Sequence, residues 1–565
     1  MLEQDPDRPH ITMKIRTVVH FFRGAVFGLS AFWIPAVSYA TFAPDPVLDY
    51  RIEAALDLAQ AKMLATVEFL ETVNAAETDP ARVPYFPQYT INLDLTPGRD
   101  EPDGTWHTAR ANGNFWARGS FAALLWIMAE IEDDAAQRAQ WRAWARQWSE
   151  PVRSYTGNDM TVNNYAVFRR WMEQAENDAE REEQRQTILE LSRRLVEPYD
   201  RLTNTGRFFE EAGVYGYRRR TSAEPRTWHF HAFIDHSPNM EQLLGSSWIA
   251  DDDAEALDFR EKAVSHALNI HETLNANRNP GNSGSWQRGY FDWEESSPTY
   301  GEFILNEGKQ GWTDASTWSR GQGWWLYGIC LAYYHTRHPE VLEAAREAVR
   351  YYIDRLPDRY PGEHRQPGVY VPAWDFDYAY EVDFRTDYDT SAAALAAAGL
   401  VRLLAAMDPA DPDYGEFSEA LRGTLLSLTE APFLATGDYP EMSILRKGGY
   451  HHPASLEPSS AYNNGLIWGD YFFVDALVKY RELRDNPPPA PQAPAVVYER
   501  EAGELRWSAR ARMVYQKETS GDMRDWRDDG MPHIGAADGE ELASPAEAGG
   551  DSQFWRLRVW PMPER

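Results

Sequence analysis

Cysteine is almost absent from this chain: Cys330 alone among 565 residues. Disulfides and cysteine-rich metal sites are therefore excluded. Cys330 lies in the apolar run Trp325-Leu326-Tyr327-Gly328-Ile329-Cys330-Leu331 with no activating His or Lys nearby, so it reads as core. Basic residues are scarce beside acidic ones, 56 against 87, for a formal net charge of −31. That balance argues against nucleic acid or an anionic membrane as partner, since both need basic patches. It also means that any anionic substrate must be met by locally placed arginine and backbone dipoles. Several catalytic signatures are missing as well. His271-Glu272-Thr273 lacks the second histidine of a zinc helix. Leu244-Gly245-Ser246-Ser247-Trp248 does not make a nucleophile elbow. No Gly-rich phosphate loop follows a strand.

Long apolar runs are also few. Gly24 to Val37 is mostly apolar, follows the basic Met13-Lys14-Ile15-Arg16, and closes on Ser38-Tyr39-Ala40, an A-x-A-like cleavage site. The run is short for a membrane span. Residues 1–40 are therefore expected to be a signal segment with its start at Met13, and the protein to be exported, periplasmic or secreted.

What is abundant is tryptophan: 22 residues, within an aromatic content of 13%. In a soluble protein that favours sugar-stacking clefts or aromatic helix interfaces. From about residue 50 to 483 the periodicity is helical. Asp49–Thr72 sets Ile52, Ala55, Leu56, Ala59, Met63 and Val67 at three- and four-residue steps. Ser391–Met407 is apolar nearly all round, which predicts burial on every side, with Asp389 and Thr390 as natural N-caps. Val341–Leu356 carries a charged face of Glu343, Arg346, Glu347 and Arg350 and is expected outside. Inner helices rich in small residues, alternating with outer amphipathic ones, predict a closed ring of helical hairpins spanning residues 41–485. Residues 486–494 form a Pro-rich linker, and residues 495–565 alternate in short runs that predict a small β module. That module could pack or adhere, or bind carbohydrate through Trp507, Trp526, Trp555 or Trp560.

The stretch Lys309 to Trp325 gathers four tryptophans, two glutamines and one arginine in a turn that enters an apolar helix. It suits a pocket for a carboxylated sugar, and equally an aromatic core. Carboxylates are the usual tools for glycosidic bonds, and two have unusual settings. Asp159 lies in the polar turn Gly157-Asn158-Asp159-Met160-Thr161, and Asp235 lies between an apolar run and a helix start in Phe233-Ile234-Asp235-His236-Ser237-Pro238. Desolvated flanks raise a carboxyl pKa and let it carry a proton near neutrality. Asp235 could instead cap the helix starting near Pro238.

The motifs Gln310-Gly311-Trp312-Thr313-Asp314, Trp318-Ser319-Arg320-Gly321-Gln322-Gly323-Trp324, Trp374-Asp375-Phe376-Asp377, Asp389-Thr390-Ser391 and Trp468-Gly469-Asp470-Tyr471-Phe472 occur in one order. Together they resemble the unsaturated glucuronyl hydrolases, glycoside hydrolase family 88, over roughly residues 80–483. The resemblance implies an all-α (α/α)6 barrel. It implies removal of a 4,5-unsaturated uronic acid from the non-reducing end of lyase-made oligosaccharides by hydration of the enol ether, with no metal or organic cofactor. By motif, Asp235 matches the general acid/base and Asp159 the second essential aspartate. Trp116, His266, Gln310, Arg320 and Trp324 match substrate-binding positions. Arg320 and Trp324 share a helical face, as a carboxylate donor and a stacking ring would. The chain departs from the family at Asn158, where a histidine is common. It departs again around Gln287-Arg288, where a pocket histidine is replaced, and in a longer segment 200–232. An unsaturated rhamnogalacturonyl hydrolase on pectin- or ulvan-type products, a non-catalytic glycan-binding barrel and a structural scaffold are the alternatives.

Overall fold

The computed structural model describes residue 42 and residues 44–561, apart from 80–83, 96, 98–101, 111–114, 156–160, 198–206, 222–226, 277–283, 383–386, 438, 459–460, 487–495, 500–503, 509–512, 521–526, 529–530, 535–540 and 546–553. The expected signal segment and nearly all of the Pro-rich linker lie outside the described residues. The chain divides into two compact units, residues 39–488 and a second that contains residues 489–564.

The larger unit is mostly helical. Its helices are α1 (Pro46–Ala76), α2 (Arg118–Ile131), α3 (Ala135–Arg153), α4 (Ala166–Glu173), α5 (Asp178–Val196), α6 (Asn239–Ser247), α7 (Asp253–Ile270), α8 (Ser319–Thr336), α9 (Pro339–Asp354), α10 (Phe376–Glu381), α11 (Thr390–Ala406), α12 (Tyr414–Leu428) and α13 (Ile467–Asp485). Local chemistry sets their ends. Asp45 accepts from Val47 N and Leu48 N, with Pro46 at the first helical position of α1. Asp389 caps α11 through Ser391 N at 3.0 Å.

Small residues set how closely the helices approach. A Cβ on Gly399 of α11 would lie 3.0 Å from Tyr327 Cα of α8, and one on Gly323 of α8 would lie 3.2 Å from Ala392 O. Every residue of α8 and of α11 is buried. Each buried leucine, such as Leu395 or Leu403, contributes roughly 1.5–3 kcal/mol. Helices α2, α4, α6, α8 and α11 each pack on the helix that follows in their pair (α3, α5, α7, α9, α12), and α13 packs on α1. Contacts also run α13–α2–α4, then through the π-helical turn Thr161–Tyr165 to α6, then α6–α8–α11–α13. The charged face of α9 is tied outward: Arg346 pairs with Asp411 and Asp413, and Arg350 with Asp413 at 2.6 Å.

The unit is not all-α. Two hairpins, β1 (Tyr85–Thr90) with β2 (Trp106–Arg110) and, later, β8 (Gly448–Gly449) with β9 (Tyr462–Asn464), accompany a five-stranded antiparallel sheet. That sheet runs β3 (Arg207–Phe209), β4 (Val214–Arg219), β5 (His229–Phe233), β6 (Arg288–Phe291) and β7 (Phe303–Glu307), in that order. Strands of three to six residues leave little alternation to read, and β5 is buried on both faces, with His229 and His231 as shielded as Phe230 and Ala232. The register sets Tyr217 against His231 and His231 against Tyr290, then Phe233 against Arg288 and Arg288 against Glu307.

The second unit is antiparallel: β10 (Val496–Glu499), β11 (Glu504–Ser508) and β15 (Glu541–Pro545) form one sheet, and β12 (Met513–Ser520) pairs with β13 (Arg527–Asp528), β14 (His533–Ile534) and β16 (Phe554–Pro561). Leu505, Trp507, Met513, Tyr515 and Leu557 form its core. Trp507 and Trp560 are each 1% exposed, so neither presents a ring for a sugar to stack on. Trp526 and the Trp555 side chain lie outside the described residues.

Among the described residues no helix is long and apolar enough to cross a membrane.

Candidate active site

Strand β5 runs into a 3-10 turn, Ile234–His236, that carries Asp235 half-buried. Asp235 is not the cap of α6, whose preceding position is Pro238. The turn is seated on the helix α8 by glycines one heptad apart. A Cβ on Gly328 would lie 2.5 Å from Ser237 O, and one on Gly321 would lie 3.3 Å from Ile234 Cγ2. Only a missing side chain permits that approach. On the other side, Ile234 N donates to Gln287 O at 2.9 Å, tying the turn to the start of β6. Asp159 lies outside the described residues. Two positions on, Thr161 donates through Oγ1 to Pro238 O at 2.7 Å and through its backbone N to Asn239 Oδ1 at 3.2 Å. The segment that follows Asp159 is thereby anchored to the segment that follows Asp235.

Arg320 sits one residue before Gly321 and is 1% exposed. Its Nη1 donates to Asp389 Oδ2 at 3.2 Å and to Gly449 O, and its Nη2 to Gln310 Oε1 and Tyr450 O, each at 2.8 Å. Trp318 lies under the guanidinium, 4.2 Å from ring centre to Cζ. Burial lowers the arginine's pKa, opposed first by Asp389 and then by Asp235. The Asp235 carboxylate is therefore within electrostatic reach of Arg320, but Asp389 already balances that charge. The geometry makes Arg320 a buried anchor for Gln310, whereas the sequence motif alone suggested a donor open to a ligand carboxylate.

Trp324, one turn beyond Arg320, meets Trp116 edge-on at 5.9 Å and Phe472 at 5.4 Å. Trp116 also packs on Trp468 at 4.8 Å and donates through Nε1 to Tyr450 Oη at 3.4 Å. Its carbonyl accepts from Asn163 Nδ2, and Asn163 Oδ1 accepts from Gly119 N at 3.0 Å, so the π-helical turn after Asp159 also holds this ring in place. Trp116, Trp324, Arg320 and Gln310 are thus brought together. Trp116 and Gln310 stay half-exposed, while Trp324 is buried with its Nε1 unpartnered among the described residues. Trp318 and Trp325 are core.

His266 lies apart from this wall, behind the Asp235 turn. Its Nδ1 accepts from Tyr215 N at 3.1 Å, which places the ring proton on Nε2. Burial pushes its pKa down to about 3. His236 is pushed to about 3 by burial and by His266. His231 falls well below the usual imidazole range through burial, then Arg288, His236 and Arg219. All three are neutral in the folded protein. His266 Nε2, His236 Nδ1, both nitrogens of His231 and Gln287 Nε2 have no hydrogen-bond partner among the described residues. Native interiors rarely leave such groups unmet, and here they cluster about the turn that carries Asp235.

Three buried carboxylates carry work that their motifs did not announce. Asp375 accepts from Trp312 N (2.9 Å) and Ser316 Oγ (2.8 Å) on one oxygen, and from Asp377 N (3.1 Å) and Tyr378 N (3.0 Å) on the other. It clamps the loop of Gln310 while capping α10, and burial pushes its pKa up to about 7. Asp389 joins Arg320 to the cap of α11. Asp470 holds Ile444 N and Leu445 N at 2.9 and 2.8 Å, and burial again pushes its pKa to about 7. An aspartate directly before a helical run, the signal that marks Asp389 as a cap, could have found Asp375 in the same way.

No family model matches the chain. It is 30% identical over 222 residues to an unsaturated glucuronyl hydrolase of Bacillus sp. (strain GL1), which is 39% of this chain and 52% of that protein. It is 26% identical over 299 residues to an unsaturated chondroitin disaccharide hydrolase of Streptococcus pyogenes serotype M1, 53% of this chain and 64% of that one. The chain thus spans half to two thirds of the length of these curated relatives. The crystal structure of an unsaturated glucuronyl hydrolase from Streptococcus agalactiae superposes with a TM-score of 0.58 at 19% identity, over 76% of this chain and 92% of the other. At that identity the likeness speaks for the fold.

Proposed function

We propose, taking as premise that the chain belongs to the unsaturated glucuronyl hydrolase family, that it removes 4,5-unsaturated uronic acids from lyase-made oligosaccharides by hydrating the enol ether. In this reading Asp235, protonated, delivers its proton to C4, and the charge that develops at C5 is shared with the ring oxygen. Water adds at C5 and returns a proton to the Asp235 carboxylate. The resulting hemiketal opens by breaking the bond from C5 to the ring oxygen, and the hemiacetal left at C1 releases the rest of the oligosaccharide. A positioned acid of this kind is worth about 10²–10⁴-fold in rate. Asp159 holds the sugar hydroxyls and tunes Asp235; Trp116 and Trp324 wall the ring; Gln310, held by Arg320, receives the uronate; His266 supports the turn from behind.

The observation that carries the reading is the cluster of unmatched buried donors and acceptors about the turn that holds Asp235, beside a half-open aromatic wall. Asp235 does not cap α6, and Arg320, which feels its charge, is already paired with Asp389. The cyclic order of helix packing supports an (α/α)6 barrel of hairpins over residues 41–485, with the sheet of β3 to β7 as an insertion. The basic and apolar features of residues 13–40 support export to the periplasm or beyond. Residues 495–565 are read as a small accessory module. The purified protein, without added metal, should bleach the ultraviolet absorbance of unsaturated oligosaccharides from at least one of chondroitin, heparin, ulvan, pectin or alginate lyase digestion. If the absorbance of every digest is unchanged, the enzyme reading is wrong.

A further inference from the structure

Gln287 stands between the two halves of the candidate site. Its carbonyl accepts from Ile234 N, next to Asp235, and its side-chain Oε1 accepts from Gln310 N at 2.8 Å. Gln310 in turn accepts from Arg320. A continuous path of hydrogen bonds therefore runs from the Asp235 turn through Gln287 to the loop on the far side.

The bond from Gln310 N also fixes which way the amide faces. A backbone N–H needs an oxygen opposite it, so Oε1 is the inward atom and the NH₂ group is directed elsewhere. That NH₂ is unmet: Gln287 is 5% exposed, and Nε2 has no acceptor among the described residues. A buried amide donor left unmet is destabilising.

We propose that Gln287 is a substrate-binding residue whose Nε2 donates to an acceptor oxygen of the unsaturated uronate, the unmet donor being satisfied only when the sugar is bound. This rests on the proposed function and adds a residue to it. A carboxamide does not titrate, so its contribution is constant with pH, unlike that of an imidazole in the same place.

The test exploits the division of labour within one side chain. Gln287→Glu keeps the oxygen that Gln310 N needs and replaces only the donor. It should fold as the parent does, lose about 10–100-fold in kcat/KM, and recover part of that loss as pH falls and the new carboxyl regains a proton to donate. Gln287→His restores a donor and should hold kcat/KM within about tenfold of the parent while introducing a new titration near neutrality. Gln287→Met, similar in volume, removes the donor and the acceptor of Gln310 N together; it should show the loss without the recovery at low pH, and its retention of activity would overturn the role even if the Glu variant does not fold. Wild type and Asp235→Asn run beside them. An inactive wild type would sink the enzyme reading itself. An active wild type with Gln287→Glu or Gln287→Met within twofold of it would overturn only the role of Gln287. A loss that follows the fraction of unfolded protein, with no pH signature, would also overturn that role.

Discussion

Replacing Arg320 with methionine separates two accounts of that residue. If the guanidinium were open to a ligand carboxylate, its loss would raise KM and leave the fold alone. The structure predicts otherwise. Arg320 is 1% exposed and its partner Asp389 is fully buried, so the substitution strands a charge in the interior. Breaking one side of a buried pair costs roughly 3–5 kcal/mol. Asp389 keeps Ser391 N, Ser391 Oγ and Gly449 N, which favours the lower end, whereas the stranded carbonyls of Gly449 and Tyr450 push the other way. Gln310 also loses its anchor, and a shift of about 1 Å in such a group can cost about 10²-fold in rate. Urea unfolding followed by tryptophan fluorescence, with kcat and KM measured on the folded protein, reads both quantities. Adding Asp389→Asn should recover part of the lost stability but not the activity. If Arg320→Met stays within about 1 kcal/mol of the parent and raises KM alone, the anchor account is refuted.

The seat of the Asp235 turn gives a sharper steric test. Gly328→Ala should destabilise by about 1–3 kcal/mol and depress activity more than tenfold, because its Cβ would lie 2.5 Å from Ser237 O. Gly415→Ala in α12, with nothing within 4 Å, should be neutral or stabilising, and the two together read out on unfolding midpoints and kcat. His266 is held neutral in the folded state, with its pKa at about 3, against about 6.5 when unfolded. Below 6.5 the unfolded chain binds the extra proton, so stability falls with acid until the pH reaches about 3. His266→Gln should remove about 1.4 kcal/mol per pH unit from that slope, measured as urea midpoints at pH 7 and pH 5; an unchanged slope would deny that the ring is kept uncharged. Asp375→Asn turns an amide donor toward two of the four existing donors. It should loosen the Gln310 loop, raise KM and cost about 1–3 kcal/mol; a variant with parental KM would show the clamp to be dispensable.

The long helices were legible because their signals are local. The stripe of α1 and the all-apolar run of α11 with its Asp389 cap can be read directly, and the structure keeps both. Helices α3 and α4 are less legible, for a physical reason. Ala135–Arg153 carries seven arginines or glutamines among its tryptophans and has Pro151 inside it, and α4 is only eight residues long behind a π-helical turn. The sheet of β3 to β7 was missed because its strands pair across separations as long as those from 233 to 288 and from 288 to 307, which no local pattern encodes. At the site, the motif order pointed to Asp235, Gln310, Arg320 and Trp324, and the structure bonds Gln310 to Arg320 and sets Trp324, one turn along the same helix, against Trp116. What it adds is direction. Only coordinates show that Arg320 faces inward to Asp389, or that Gln287 holds Gln310 with one end of its amide and leaves the other unmet.

The central claim is that an enol ether is hydrated before the glycosidic link is lost. A single-turnover experiment with excess enzyme and an unsaturated disaccharide from an active digest, following ultraviolet absorbance and the released reducing sugar on one time axis, tests it most directly. The account predicts that absorbance falls no later than sugar appears, and that Asp235→Asn, with native circular dichroism, does neither. Sugar released while the absorbance persists would mean direct cleavage at the anomeric carbon and would contradict it.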